Sequence, residues 1–385
     1  MLSIRLVFAV FGVFWGTWAV AALDVQRFLG LSDLGLGLLL AATVAGTTVT
    51  NVVGGTLAER RGASRAVAVS LLVWAPLVGT VAVVPSRAAW MVAFLAVVAA
   101  GGMLDVVANI ASATLLGDRP GQLLRLHASY NSGALVGAAV TGVCLRIGTG
   151  WWRLSFGFGA VVALALGVAI LRRPGSIPES SAPSEHATLR DAIGELRRSR
   201  LVPLAIVFLL GAAVEGGIGA FGVKFLRERI DVAVLGAAGA YVIGQALATI
   251  TRAVLGRDDD RMGGTTAAKA GLLVAGLGLA LEAATDLPAV AAVGLAIASI
   301  GAATYWPLLS AVATQSSDRP GLAVGGVSAA GYLGFLLGPV VVGAVADGLD
   351  LRAGVLLLAA AGLAGASVSL RGIGHQAASR RKIRL

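Results

Sequence analysis

Charge, cysteine and histidine are all scarce in this chain. Asp, Glu, Lys and Arg make up 13% of its 385 residues, where a soluble domain carries roughly a quarter. That deficit excludes an ordinary water-soluble fold. The single cysteine, Cys144, excludes an intramolecular disulfide or a thiolate metal site and reads as core. There are three histidines, His127, His186 and His375, and no His-Glu-x-x-His or Gly-x-Gly-Asp motif. Nothing therefore supplies the metal or acid constellation of a membrane-embedded enzyme. A Gly-x-x-x-x-Gly-Lys-Ser/Thr loop is also missing, which disfavours transport driven by an ATPase domain of its own. No cofactor, metal or enzymatic activity is expected.

What remains is overwhelmingly apolar. Hydrophobic residues reach 57% and the mean hydropathy is +0.87, with 53 glycines. Small residues let membrane helices approach closely where lipid offers no hydrophobic drive for association. The net charge of +10 has no aromatic residues interleaved with it, so nucleic acid is not an expected partner.

A hydrocarbon core of about 30 Å needs roughly 20 apolar residues per helix. Cutting the chain at charges, prolines and polar clusters predicts spans at 5–24, 33–57, 66–84, 88–116, 123–146, 152–171, 201–226, 232–256, 266–284, 288–314, 322–346 and 351–370. The expected fold is an all-α membrane protein of twelve transmembrane helices. Its organisation reads as an N-terminal half, 1–171, a linker, 172–200, a C-terminal half, 201–370, and a basic tail, 371–385. Pro174, Pro178 and Pro183 mark the linker, whose charged end suits a short amphipathic surface helix. Alternate loops hold 22 and 8 of the Lys and Arg residues, with Arg252 counted in the richer set. By the positive-inside rule both termini and the linker are expected in the cytoplasm, and Arg87 and Arg227 outside. The apolar run after Arg5 is read as the first span, because losing it as a leader would leave an odd span count.

The two halves repeat each other. Glu59-Arg60-Arg61-Gly62 recurs as Asp260-Arg261-Met262-Gly263, and Asp118-Arg119-Pro120-Gly121 as Asp318-Arg319-Pro320-Gly321. Gly133, Leu135 and Gly137 return as Gly334, Leu336 and Gly338. The offsets are 201, 200 and 201 residues. A constant register across half the chain signals duplicated architecture.

The segment Gly55, Leu57, Ala58, Glu59, Arg60, Gly62 and Arg65 resembles the signature loop of the major facilitator superfamily, with Glu59 in place of the usual Asp. The resemblance implies two pseudo-symmetric six-helix bundles and a cytoplasmic gate built from this motif and from its repeat at Asp260, Arg261 and Gly263. The chain is also similar to the fucose permease-like branch of sugar/proton symporters. That similarity rests on Asp105 followed by Asn109, on Tyr130-Asn131-Ser132-Gly133, on the glycine-rich run after Glu215, and on Gly331 to Pro339. It implies proton coupling through Asp24 and Asp105 and sugar contacts near Asn131.

The residues themselves point to the same region. An acid at the centre of a membrane helix costs about 2.5–3.5 kcal/mol on insertion scales and normally faces a cavity or a relay. By sequence depth two acids sit near the midplane, Asp105 and Glu215, and Asn109 stands one turn from Asp105 on the same face. Asp24 and Lys224 are equivalent at the 200-residue offset and are expected to pair across the cavity mouth, with snorkelling of Lys224 to the interface as the alternative. Tyr241, Gln245, Tyr305 and Trp306 are candidate solute contacts, or else packing residues. His127 is expected at the cytoplasmic end of its span, Gly133 and Gly137 at a helix contact, and Pro307 and Pro339 at kinks or breaks. The expected function is secondary transport of a small polar solute, proton-coupled, by a monomer in the lipid bilayer. Proton-antiport efflux of an amphipathic compound is the alternative.

Overall fold

The computed structural model describes residues 1–116, 120–173, 177, 189–257, 264–370 and 373. Asp118, Arg119, Asp260, Arg261 and Gly263 lie outside the described residues.

Helices account for the regular structure described. In chain order they are α1 (Leu2–Leu29), α2 (Asp33–Arg61), α3 (Ala63–Val83), α4 (Arg87–Leu116), α5 (Pro120–Ile147), α6 (Trp152–Leu171), α7 (Leu189–Arg198), α8 (Val202–Gly217), α9 (Val223–Glu228), α10 (Val234–Leu255), α11 (Gly264–Ala283), α12 (Pro288–Ala302), α13 (Tyr305–Ser316), α14 (Pro320–Gly348) and α15 (Leu351–Ser367). A π turn, Ile218–Gly222, joins α8 to α9, so these form one span, as do α12 and α13. Among the described residues, eleven spans are long and apolar enough to cross a bilayer, and α15 adds a shorter apolar helix.

Two turns depend on glycine. Gly30 ends α1 at φ 71°, and Gly62 separates α2 from α3 at φ 79°. Side chains with a Cβ rarely adopt either conformation. The motif glycine Gly62 thus has a backbone reason to be glycine, independent of any role in gating.

The repeated glycines seat equivalent helix pairs. A Cβ on Gly133 would run into the Ala9 carbonyl of α1, and one on Gly334 into the Leu209 carbonyl of α8. Gly137 meets the Val13 carbonyl, and Gly338 packs on the Ala213 backbone. The contacts α1–α5 and α8–α14 are therefore copies of each other. Lone Cβ atoms decide how close these helices come.

The prolines behave differently from expectation in one case. The break in the tenth span falls at Ala303–Thr304, and Pro307 sits in the first turn of α13, where its missing N–H costs nothing. Pro339, by contrast, lies inside an unbroken α14. Its carbonyl receives Gly37 of α2 at close range, so the neighbouring helix packs on the proline turn.

The linker helix α7 is docked rather than free. Leu196 packs on Gly326 of α14, and Glu195 accepts hydrogen bonds from Ser199 and, at 2.7 Å, from Ser317. Burial pushes the Glu195 carboxyl up, but Ser199, Ser317, Arg198 and Arg319 outweigh it and hold the group below the usual carboxylate range.

Candidate functional site

A cavity of about 270 Å³ lies between the repeated halves. Its wall draws on α1 (Phe11, Trp15, Trp18), α2 (Thr43, Thr47), α4 (Asp105, Asn109) and α5 (Tyr130, Asn131). From the second half come Glu215, Tyr241, Gln245, Arg252, Trp306 and Tyr332. The wall mixes aromatic and small apolar side chains, with carboxyl, amide and guanidinium groups set into it.

Asp105 is held by its own helix and by the opposite half. Asn109 Nδ2 donates to Asp105 Oδ1 at 3.1 Å and to the Asp105 carbonyl at 2.9 Å, as the one-turn spacing predicts. Tyr332 of α14 donates to Oδ2 at 3.4 Å, a long and weak bond. Glu215 receives the Tyr305 hydroxyl at 2.8 Å. Tyr305 is fully buried behind Glu215 and orients it, while Trp306 lines the cavity beside Tyr332.

Arg252 corrects the sequence reading. Counted with the loop cations, it is 3% exposed and points into the cavity wall. Its Nε donates to the Ala303 carbonyl at 2.5 Å, and its Nη1 to the His127 carbonyl at 2.9 Å and to Asn131 Oδ1. Asn131 Nδ2 donates in turn to Gln245 Oε1 at 2.5 Å. One guanidinium thus ties α5 and α10 to the break between α12 and α13, where a carbonyl freed from helical bonding accepts it. The positive-inside bias stays strong without it. His127, expected towards the cytoplasmic end of its span, lies one turn before Asn131 in α5 and lines the cavity, with its ring edge-on to Phe8 at 5.1 Å. A signal for Arg252 existed in the sequence: Tyr241, Gln245 and Arg252 stand four and seven residues apart, on one helical face.

Asp24 and Lys224 do not pair with each other, and neither lines the cavity. Asp24 forms an ion pair with Arg227, while Lys224 pairs with Asp33 at 2.8 Å and with Glu228. The π turn adds a residue to the span containing Lys224, turning everything after it about 100° around the axis. Arg227, three residues beyond Lys224, is the cation that reaches Asp24. Asp347 of α14 accepts the Asp33 and Leu34 backbone N–H groups at 3.0 and 3.1 Å, and so caps α2 with a carboxylate. These pairs clasp α1 and α2 to α9 and α14 at one end of the bundle. Towards the other end of the bundle, Gly55, Gly321 and Gly325 face open space.

Burial also revises the count of intramembrane acids. Glu282 in α11 is 0% exposed, with neither carboxyl oxygen hydrogen-bonded. It touches no part of the cavity.

Of the loop motif, Glu59, Arg60, Arg61 and Arg65 are exposed at the end of the bundle opposite the Asp24 clasp. If the motif latches that end, Glu59→Gln or Arg60→Ala will slow or bias the exchange between conformations and leave solute binding measurable. Loss of binding with both conformations still sampled would refute the latch.

A helical bundle with a central amphipathic cavity, clasped at one end by ion pairs, is the form of a membrane transporter. The sequence profile of the Major Facilitator Superfamily matches residues 6–321, and the chain belongs to that family. A Rhizobium meliloti protein described as membrane protein MosC is 26% identical over 370 residues, 94% of this chain and 88% of its own length. An uncharacterized MFS-type transporter of Yersinia pestis is 23% identical over 348 residues, covering 90% and 88%. Among solved structures, the nucleoside transporter NupG superposes with a TM-score of 0.70 at 17% identity, covering 99% of this chain and 98% of that one. A bacterial homolog of the human lysosomal transporter Spinster, inward-facing and unoccupied, gives 0.72 at 16% identity, covering 99% and 97%. These likenesses show the fold of a multi-pass secondary transporter. They do not single out the fucose permease-like branch.

Proposed function

We propose that the chain moves a small polar solute by alternating access and couples that movement to protons through Asp105 and Glu215. The observation that carries the reading is that these two acids, one from each half, face a single cavity in a bundle whose one end is clasped by ion pairs. A carboxyl in such a place takes or releases a proton according to the side that hydrates it. Asn109, Asn131, Tyr241, Gln245 and Trp306 contact the solute, and Tyr305 positions Glu215. Asp24 and Lys224 act in the gate at the clasped end, opposite the Glu59 motif. The two six-helix halves, 1–171 and 201–370, rock about the cavity, and the protein works as a monomer in the inner (plasma) membrane.

The test is a panel of sugars, nucleosides and amphipathic amines offered to proteoliposomes with an imposed pH gradient. One class should be moved against its own gradient, and a protonophore should abolish that movement. Accumulation indifferent to the protonophore would refute proton coupling. The clasped end is assigned outward by the positive-inside bias. An impermeant thiol reagent added to intact cells should therefore label Arg87→Cys and spare Ser184→Cys, and the reverse pattern would invert the topology.

A further inference from the structure

The charges in the cavity wall do not balance. Asp105 and Glu215 are two acids, and Arg252 is the one permanent cation among the described residues that line it. Arg252 is near enough to Glu215 for their charges to interact, whereas Asp105 has no cation among its described partners. Three of the five N–H donors of the guanidinium are taken by Ala303, His127 and Asn131. The carboxylates are less occupied. Asp105 Oδ2 has a single bond at 3.4 Å and Glu215 Oε2 one at 2.8 Å, so acceptor capacity exceeds donor capacity where a solute would sit.

The surroundings of Asp105 suit a cation. Tyr332 reaches it from α14 and stands 6.0 Å from Trp306, which in turn packs 5.8 Å from Phe335. Phe11, Trp15 and Tyr130 add a second aromatic cluster from the other half, with Phe11 centred 6.3 Å from Trp15 and 6.1 Å from Tyr130. Aromatic faces attract a positive centre within about 6 Å, most strongly where water is excluded. Tyr332 of α14 reaches Asp105 directly, Tyr130 of α5 is near enough to interact with its charge, and the neutral Asn51 of α2 hydrogen-bonds Tyr332. One turn before Asp105, Gly102 lies against Thr47 and Asn51 of α2, and Gly101 against Phe11 of α1 and Trp74 of α3.

We propose that the cavity takes an organic monocation, with its positive centre on Asp105 in the place of a proton and its apolar body between the two aromatic clusters. The inference rests on the reading of this cavity as the transport site and names the class of solute. Binding balances simply: the carboxyl gives its proton to the solvent on the open side, and the cation takes its place.

The probe is benzyltrimethylammonium, whose charge does not titrate, so any pH dependence belongs to the protein. It is compared by calorimetry on the purified full chain with neopentylbenzene, its neutral carbon isostere, and with phenylphosphonate. The ammonium compound should bind, weakening about tenfold per pH unit once Asp105 holds its proton, with about one proton released per molecule bound. The neutral isostere should bind at least tenfold more weakly, without that slope. Asp105→Asn should remove both the slope and most of the affinity, and Asp105→Glu should restore the slope. The slope in the unaltered protein is diagnostic even if a variant folds poorly.

Failure to bind the cation, or binding without a pH slope, overturns the inference. Loss of the slope in Glu215→Gln and not in Asp105→Asn moves the cation to Glu215 and overturns the assignment to Asp105. If the cation fails while phenylphosphonate binds, and Arg252→Gln or Trp306→Ala abolishes that binding, the cavity remains the transport site with an anionic solute. If Trp306→Ala leaves all binding unchanged, the reading of the cavity itself fails.

Discussion

Asp105→Asn should abolish solute accumulation driven by a pH gradient and should retain exchange of solute for solute across the same membrane once the solute is saturating. The amide imitates the protonated carboxyl in shape, keeps a partner for Asn109 and Tyr332, and cannot titrate. Net transport needs the proton to be taken up on one side and released on the other, while exchange needs only the solute-loaded cavity to change sides. A loss of at least two orders of magnitude in gradient-driven rate, with exchange at saturating solute within about fivefold of the unaltered protein but at a raised half-saturating concentration, is the expected pattern. Asp105→Ala should also impair exchange, because it leaves Asn109 without its acceptor in a low-dielectric site. Gradient-driven transport by Asp105→Asn at the original rate and pH dependence would remove Asp105 from the coupling and leave Glu215 as the remaining cavity acid.

Arg252→Met should be more damaging than any substitution at the exposed loop cations. The side chain it removes joins three separate segments. Its loss takes a donor from the His127 and Ala303 carbonyls and from Asn131 Oδ1, and leaves Glu215 without its nearby positive charge. Removing one partner from a buried charged network typically costs about 3–5 kcal/mol. We therefore expect a clear fall in the thermal unfolding midpoint in detergent and no detectable transport. Arg252→Lys keeps the charge but offers a single point donor in place of a planar fork, so it should recover part of the stability and little of the rate. Midpoint and transport both unchanged in Arg252→Met would show that the network holds nothing together.

The contrast between Arg252 and Asp105 explains how far the sequence could be read. Asp105 stands 18 residues from Arg87 and 13 from Asp118, so depth alone marks it as costly and functional. Arg252 lies four residues before the loop residues Gly256 and Arg257, where a snorkelling cation and a buried one look alike. Only the contacts with α5 and with the broken span decide between them, and those are tertiary. Helix number, the paired glycine contacts and the loop motif were legible because length, small residues and a repeated register encode them directly. The Asp24 partner was not. A repeat offset predicts equivalent positions only while both copies keep the same helical register, and the π turn at Ile218–Gly222 breaks it in one copy. The run of Gly216, Gly217, Gly219 and Gly222 is the visible trace of that turn, but glycine density alone does not specify a π turn rather than close packing. Glu282 stands next to the last residue of α11, so sequence depth did not mark it as a midplane acid, and its complete burial is a product of helix packing.

Alternating access requires one cavity reached from one side at a time, and the scarcity of cysteine makes this directly measurable. With Cys144→Ser as background, Ser299→Cys places a single thiol in the cavity wall, at a buried position of similar size. If the Asp24–Arg227 and Lys224–Asp33 pairs close the outer entrance, an impermeant thiol reagent should modify it from the cytoplasmic side in inverted vesicles and not from the outer side in right-side-out vesicles. Adding Arg227→Gln and Lys224→Met should open the outer route and slow the cytoplasmic one. Equal labelling from both sides without the clasp substitutions, or outer labelling that stays absent with them, would contradict a cavity whose sidedness the clasp controls.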